Sequence, residues 1–229
     1  MTNHVQKTAG SGRSGGDAEL LARARALASA TIADALDQLG LPGIMTGLAR
    51  HSGQGRIAGF ARTMQEQAAP YGSFRFEDFA VGRGFDSVGP DEILVADMGG
   101  VEISTLGGLA AETMSLRGAA GAVVDGGARD IEEIRRLGFT LASRCLTPRS
   151  GKGRVRVVSL DEPVICGGIC VTPGDLVVID DTGVIAIPAG AAERVLATAE
   201  DLDARDNAFS ARLRAGESFT GIAASLRHA

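Results

Sequence analysis

Tryptophan is absent from this 229-residue chain, tyrosine occurs once, and aromatic residues of all kinds make up only 4%. Stacking platforms for single-stranded nucleic acid are built from such rings, so that mode of recognition has little to stand on. Lysine is almost missing too: Lys7 and Lys152 are the two, arginine supplies the rest of the 23 basic residues, and 28 acidic residues leave a formal charge of -5. A nucleic-acid footprint needs a basic domain, and a pI near 5.3 argues against one while leaving room for a local anion pocket. Cysteine is scarce and odd in number (Cys145, Cys166, Cys170), no apolar run reaches membrane-spanning length, and the first residues carry no secretory pattern. Reducing cytoplasm, away from membranes, is the expected setting. Cys166 and Cys170 read as small buried strand residues, because a zinc site would want further Cys or His at ligand spacing. Histidine gives no help: His4, His51 and His228 fall in the tail, a loop and the C-terminus, which removes both a histidine-based triad and a histidine metal cage.

What is present is the composition of a globular domain, 45% hydrophobic and 22% charged. The length suits one compact domain, residues 17–229, behind a disordered Gly/Ser-rich tail over 1–16. Helical spacing starts at Asp17, a candidate N-cap, with Leu20, Leu21, Ala24, Leu27 and Ala28 on one stripe; a second helix runs from Thr31 to Leu39 and Gly40 ends it. Residues 56–64 alternate as a strand, and 70–90 reads as a loop followed by a short helix. A regular alternation follows: strand 92–97, helix 104–117, strand 122–125, helix 131–137 ended by Gly138, strand 139–143. Such alternation implies parallel crossovers and an α/β core, whose ligands gather beyond the carboxyl ends of the strands. After Pro148 the spacing changes to short strands at 154–160, 164–166, 169–171, 176–180 and 184–187, expected to close as a β-rich layer over the first half. A long helix over 189–214 and a short one over 218–226 finish the chain; a long Ala-faced terminal helix is a common docking element between subunits.

The stretch from 107 to 133 concentrates the chemistry. Gly107-Gly108 opens a helix, a buried strand follows, and Gly126-Gly127-Ala128-Arg129-Asp130 places a cation and a carboxylate side by side at the end of that strand. Such a pair can hold a divalent metal and an anionic substrate together. Three plainer readings stand beside it. Asp130-Ile-Glu-Glu133 fits a capping box, Arg129 fits a surface ion pair, and a glycine pair alone is a turn. Ser150-Gly-Lys152-Gly153 ends like a phosphate loop but has Gly where Ser or Thr should bind magnesium, so it reads as a basic loop. Asp97 and Asp125 end strands on the same rim, and Asp180-Asp181 shapes a turn.

Four motifs taken in order resemble a known family: Asp-Ala-Leu-Asp-Gln-Leu-Gly at 34–40, Gly-Gly-Leu-Ala-Ala at 107–111, Gly-Ala-Val-Val-Asp-Gly-Gly-Ala-Arg-Asp at 121–130, and Thr-Pro-Gly-Asp-Leu-Val-Val-Ile-Asp-Asp-Thr-Gly-Val at 172–184. They are similar to the 4-hydroxy-4-methyl-2-oxoglutarate aldolases, a family that also holds the regulator of ribonuclease E activity, and the likeness runs from about residue 25 to 220. The resemblance implies an α/β fold of the swivelling β/β/α sandwich type with helical N- and C-terminal segments, assembled as a homotrimer or homohexamer with the active site at a subunit boundary. It implies a class II pyruvate aldolase or oxaloacetate decarboxylase, a lyase dependent on Mg2+ or Mn2+. Asp130 would ligate the metal, Arg129 would contact the keto and enolate oxygen, and the amides of Gly107, Gly108, Leu109 and Ala110 would hold the pyruvyl carboxylate. Glu133 would cap the helix or support the metal ligand. An acid from a neighbouring subunit's C-terminal helix would serve as base, Asp206 ahead of Glu200 and Asp203. One departure matters: aldolases of the family carry Asp twenty residues before the Arg-Asp pair, where this chain has Gly108, the version associated with oxaloacetate decarboxylation. A non-catalytic, protein-binding regulator on the same fold is the alternative. A methyltransferase is not supported, since no nucleotide-binding glycine loop follows a first strand.

Overall fold

The computed structural model describes residues 15–226. Ten strands form one sheet: β1 (Ile44–Met45), β2 (Ala49–Ser52), β3 (Ile57–Ala68), β4 (Glu92–Asp97), β5 (Ser104–Leu106), β6 (Gly121–Ala128), β7 (Leu141–Leu146), β8 (Val155–Leu160) and, after a separate hairpin of β9 (Val164–Cys166) and β10 (Ile169–Val171), β11 (Leu176–Ile179) and β12 (Val184–Ile187). Their order is β1-β12-β11-β3-β4-β6-β7-β2, with β5 on β6 and β8 on β3. β3, β4, β6 and β7 are mutually parallel. The links between them carry α3 (Gly82–Ser87), α4 (Gly108–Leu116) and α5 (Ile131–Leu137), the crossovers that the alternating pattern implied. α1 (Gly15–Ala26), α2 (Ser29–Gln38), α6 (Ala192–Arg214) and α7 (Phe219–Leu226) complete the fold.

Strand alternation sorts the core into three parts. Ile93 and Val95 of β4, Val123 of β6, and Val177 and Ile179 of β11 face one side of the sheet, where the β9–β10 hairpin covers them with Val164, Cys166 and Val171. Leu94, Ala96, Ala122 and Val124 face the other side and pack under α3, α4 and α5 through Phe85, Ala111, Met114 and Ile134. Further along that second side, Leu176, Val178, Ile185 and Ile187 meet α1, α2 and the first half of α6. Asp180 ties the last group together: its carboxylate accepts from the Ser29 amide at 2.8 Å and the Ser29 hydroxyl at 2.7 Å, and from Thr182 and Gly183. It thus shapes the turn, as expected, and also caps α2 from across the fold.

Several expectations need correction. The late strands do not form a separate layer: β11 and β8 pair along the edge of β3 opposite β4, β12 extends the sheet from β11, and only the β9–β10 hairpin lies over it. Residues 104–106 are a strand rather than a helix start, held on β6 by the Ser104–Gly127 and Leu106–Ala128 register. Asp17 sits within the first turn of α1, not at its cap, and Gly15 and Gly16, assigned to the tail, are helical; the rest of that tail lies outside the described residues. Cys166 is buried as expected, but Cys170 is exposed, since its strand alternates outward at the hairpin edge.

Candidate functional site

β6 carries the site to its carboxyl end. Gly126 and Gly127 do not turn the chain; they lie buried inside the strand, where a Cβ at 126 would stand 2.7 Å from Met98 Sδ and one at 127 would stand 2.8 Å from the Ile103 carbonyl oxygen. Glycine there permits β5 and the Met98 turn to close on β6. The ladder continues one residue past the strand, as the Arg129 amide donates to the Leu106 carbonyl at 3.0 Å. Asp130 then adopts the left-handed conformation, φ 54° and ψ 40°, a conformation Asp tolerates better than most residues.

That backbone twist turns Asp130 away from its own helix. No side-chain cap bond forms at the start of α5, and Glu133 pairs with Arg136 at 3.0 Å instead of reaching back, so the capping box does not form. The Asp130 Oδ2 atom accepts from the Gly108 amide of α4 at 3.2 Å and lies 3.5 Å from Arg129 Nε. Gly107 makes this approach possible, for a Cβ there would fall 2.5 Å from Oδ2. The Arg129 and Asp130 side chains are 39% and 43% exposed, so their ion pair contributes little to stability, on the order of 0–1 kcal/mol.

Gly107, Leu109, Ala110, Arg129 and Asp130 line one cavity of about 180 Å3, together with Thr105, Ser150, Lys152, Phe79 and Phe85. At roughly 30 Å3 per water this is room for a small organic acid. The start of α4 faces it with first-turn amides, a ready anion site. Leu109 stands on its lip, 82% exposed. A larger depression of about 540 Å3 between α1 and α6 offers less chemistry, because Arg23 there is saturated by Glu193 and Glu200. The structure thus brings Gly107, Leu109, Ala110, Arg129 and Asp130 to one cavity, but Gly108, expected to offer its amide to substrate, is not part of the lining, because Asp130 Oδ2 takes that amide. Glu133 packs behind, its Cβ 3.1 Å from where a Cβ on Gly108 would stand.

The C-terminal acids are not brought there within one chain. Asp206 is exposed on the outer half of α6, Asp203 accepts from Asn207, and Glu200 pairs with Arg23. Asp97 and Asp125 serve the hairpin: Asp97 accepts from the Ile165 amide, and Asp125 accepts from Gly167 at 2.8 Å and Arg144 at 2.6 Å. Lys152, Ser150 and Thr105 were not foreseen at the site. Lys152 and Ser150 arrive through backbone pairing of Ser104 with Arg149 and Gly151, for which the sequence holds no local signal.

Among the described residues no cluster of three or more His, Cys, Asp or Glu is placed to hold a metal. One carboxylate, Asp130, is what the cavity offers. That suits a hard ion such as Mg2+, which binds through one or two carboxylates and completes its shell with water and substrate oxygens.

Fold and site together define an α/β protein with a small cavity, lined by the start of α4, Arg129, Lys152 and one carboxylate, at the carboxyl edge of a parallel sheet. The chain belongs to the RraA-like family: residues 29–186 match the family described as Aldolase/RraA. It is 30% identical over 191 residues to a Halalkalibacterium halodurans protein provisionally named 4-hydroxy-4-methyl-2-oxoglutarate aldolase, covering 83% of this chain and 86% of the relative. A Thermus thermophilus protein named 4-hydroxy-4-methyl-2-oxoglutarate aldolase is 33% identical over 142 residues, 59% of this chain and 78% of its own length. The crystal structure of Streptomyces coelicolor RraAS2, described as an unusual member of the RNase ES inhibitor RraA protein family, superposes with a TM-score of 0.73 at 28% identity, covering 85% of this chain and 96% of that one. The fold expected from the motifs is thus the fold observed. Among the described residues no helix is long and apolar enough to cross a membrane.

Proposed function

We propose that the protein is a carbon–carbon lyase that releases pyruvate from a small 2-oxo dicarboxylic acid, oxaloacetate before 4-hydroxy-2-oxo acids. One observation carries this: Leu109 and Ala110 at the start of α4, Arg129, Asp130 and Lys152 line a single cavity. The amides at Leu109 and Ala110 hold the substrate's C1 carboxylate. Arg129 stands beside the keto oxygen and stabilises the negative charge that grows there as the bond to the departing carbon breaks. Lys152 offers a second cation for the distal carboxylate. A divalent ion at Asp130, magnesium or manganese, would supply Lewis-acid polarisation of the keto oxygen.

Decarboxylation of oxaloacetate needs no base to break its bond, whereas cleavage of a 4-hydroxy-2-oxo acid needs one for the 4-hydroxyl proton. Within one chain the cavity holds no second free carboxylate, because Gly108 has no side chain and Glu133 is paired with Arg136. Retro-aldol activity would therefore call on an acid from a second copy, with Asp206 the foremost candidate. The same reading proposes a homotrimer or homohexamer, and Leu109 at the cavity lip and Leu116 at the far end of α4, both exposed, give such an assembly apolar contacts.

The test is a lactate-dehydrogenase-coupled assay over oxaloacetate and a panel of 4-hydroxy-2-oxo acids, with magnesium, with manganese and with chelator. Metal-dependent pyruvate release, fastest from oxaloacetate, is expected. No pyruvate from any of them would favour a regulator of the kind named for the Streptomyces relative.

A further inference from the structure

Behind the cavity wall lies a carboxyl group that the reaction above leaves unused. Glu66 is on β3, in register with Val157 of β8, and is 3% exposed. Its Oε1 atom is 2.6 Å from the hydroxyl of Thr105, and its Oε2 atom is buried without a hydrogen-bond partner among the described residues. A carboxylate in such a place loses its hydration and gains one hydrogen bond, which is too little to keep it charged. Burial pushes its carboxyl up to about 8, the Thr105 hydrogen bond working against that rise and the nearby Asp97 charge adding to it. Its neutral acid form is therefore favoured, and among the described residues its carboxyl's one hydrogen bond is to the hydroxyl of Thr105, a residue that lines the same cavity as Arg129 and Asp130. In this acid form the 2.6 Å contact can run from the Glu66 carboxyl to Thr105 Oγ1, which frees the Thr105 proton to point into the cavity.

We propose that Glu66, acting through the Thr105 hydroxyl, supplies the proton that turns the enolate of pyruvate into pyruvate. The inference rests on the lyase function proposed above and extends it to the second half of the reaction. Loss of carbon dioxide or of the aldol carbonyl leaves an enolate whose C2–C3 π pair must take a proton at C3, on the protein through the relay or, when the relay is gone, in water after the enolate has left the site. The Thr105 O–H bond breaks as that pair forms the new C3–H bond and the C2–O double bond is restored. Thr105 Oγ1 takes the Glu66 proton in the same step. Glu66, left as a carboxylate, recovers a proton from solvent through Thr105 once pyruvate has gone. Thr105 touches the reacting carbon; Glu66 is a positioning residue that sets the direction of its proton.

The experiment follows exchange of pyruvate methyl protons in D2O by NMR, the same proton transfer in reverse, beside direct measurement of oxaloacetate consumption, with magnesium present. Wild type, E66Q, T105V and T105S are compared, and melting curves confirm that each is folded. E66Q and T105V should lose exchange by at least about tenfold more than they lose oxaloacetate consumption, as expected when a general acid is removed. T105S, which keeps the hydroxyl, should restore most of the exchange. Equal losses in both assays, or exchange at the wild-type rate in E66Q or T105V, would overturn the relay and leave the lyase function standing. If E66Q does not fold, the T105V and T105S pair decides alone. A wild-type protein that consumes none of the 2-oxo acids and exchanges no pyruvate would overturn both; one that consumes oxaloacetate without exchange would overturn the relay only.

Discussion

Changing Gly107 to alanine adds one methyl group, and its landing place is known: 2.5 Å from Asp130 Oδ2 and 3.2 Å from Cγ and Nε of Arg129. The backbone is no obstacle, since Gly107 is extended at φ -138° and ψ -169°, which any residue adopts. Ordinary carbon contacts lie near ~3.5 Å, so the carboxylate must retreat by about 1 Å. Retreat breaks the 3.2 Å bond from the Gly108 amide, a partly exposed contact for which about 1 kcal/mol is a fair cost. For a chain of this size that is a fall in Tm of roughly 2–4 °C. The effect on catalysis is much larger, because a misplacement of ~1 Å at a reacting centre costs on the order of 100-fold. The Gly107→Ala protein should therefore melt close to wild type and lose kcat/KM for pyruvate release from oxaloacetate by about two orders of magnitude. Activity within about threefold of wild type would refute the argument that Gly107 exists to admit Asp130. A collapse of the melting temperature would refute it differently, by showing that the methyl strikes the fold and not the site.

Asp130→Ala should abolish metal-dependent pyruvate release, and an active variant would remove Asp130 from the mechanism. Arg129→Lys should lose most of kcat in the same assay, since a point charge on a flexible stem does not reproduce a planar fork. Gly108→Asp would place a second carboxylate between Asp130 and Glu133, where the Cβ has 3.6 and 3.1 Å to its neighbours' Cβ atoms; the ratio of 4-hydroxy-2-oxo acid cleavage to oxaloacetate decarboxylation should rise, as read from paired initial rates. Stability against pH should show two limbs of opposite sign. Burial works to raise the Asp180 carboxyl, but hydrogen bonds from Ser29, Thr182 and Gly183 hold it below the usual range. It therefore contributes stability above the unfolded carboxylate pKa that is lost as pH falls through the folded value, and Asp180→Asn should flatten that acid limb in denaturant titrations. Glu66 is raised to about 8, so the folded state holds its proton over a range where the unfolded chain releases it. Stability from this group declines as pH climbs from the unfolded carboxylate range to about 8, a slope that Glu66→Gln should remove.

Much of the scaffold was legible because local pattern and tertiary role agreed. β4 over Glu92–Asp97 and α5 over Ile131–Leu137 begin and end where the apolar run and Gly138 say they should. β5 was not legible: Ser104-Thr105-Leu106 is too short and polar to declare a strand, and it becomes one only because Gly127 lets it close on β6. The Arg129–Asp130 pair was visible as a motif, but the choice between cap and ligand was not, since it turns on one left-handed residue. Glu66 was invisible for a related reason. Met-Gln-Glu-Gln looks like a solvated face, and only the pairing of β8 with β3 and the approach of β5 bury it.

Glycine in this chain is better understood by what it lets approach than by how it bends. Gly107, Gly126 and Gly127 all have backbone angles open to other residues, yet each has an atom of another segment within 2.5–2.8 Å of where its Cβ would be. Together they draw α4, β5 and the end of β6 close enough for Asp130 to cap a helix that is not its own. That borrowed cap engages Oδ2 and aligns the carboxylate with the open amides of α4 and the guanidinium of Arg129. An alanine at 107 would push directly on Asp130 in the cavity wall, whereas one at 126 or 127 would push on Met98, Ile103 and Thr147 behind it. The order of damage should follow depth: substitutions at the buried Gly126 and Gly127 should lower stability and activity together, whereas Gly107, at the rim, should separate them. Identical loss of stability at all three positions, measured by denaturant midpoints, would show that the glycines serve packing alone.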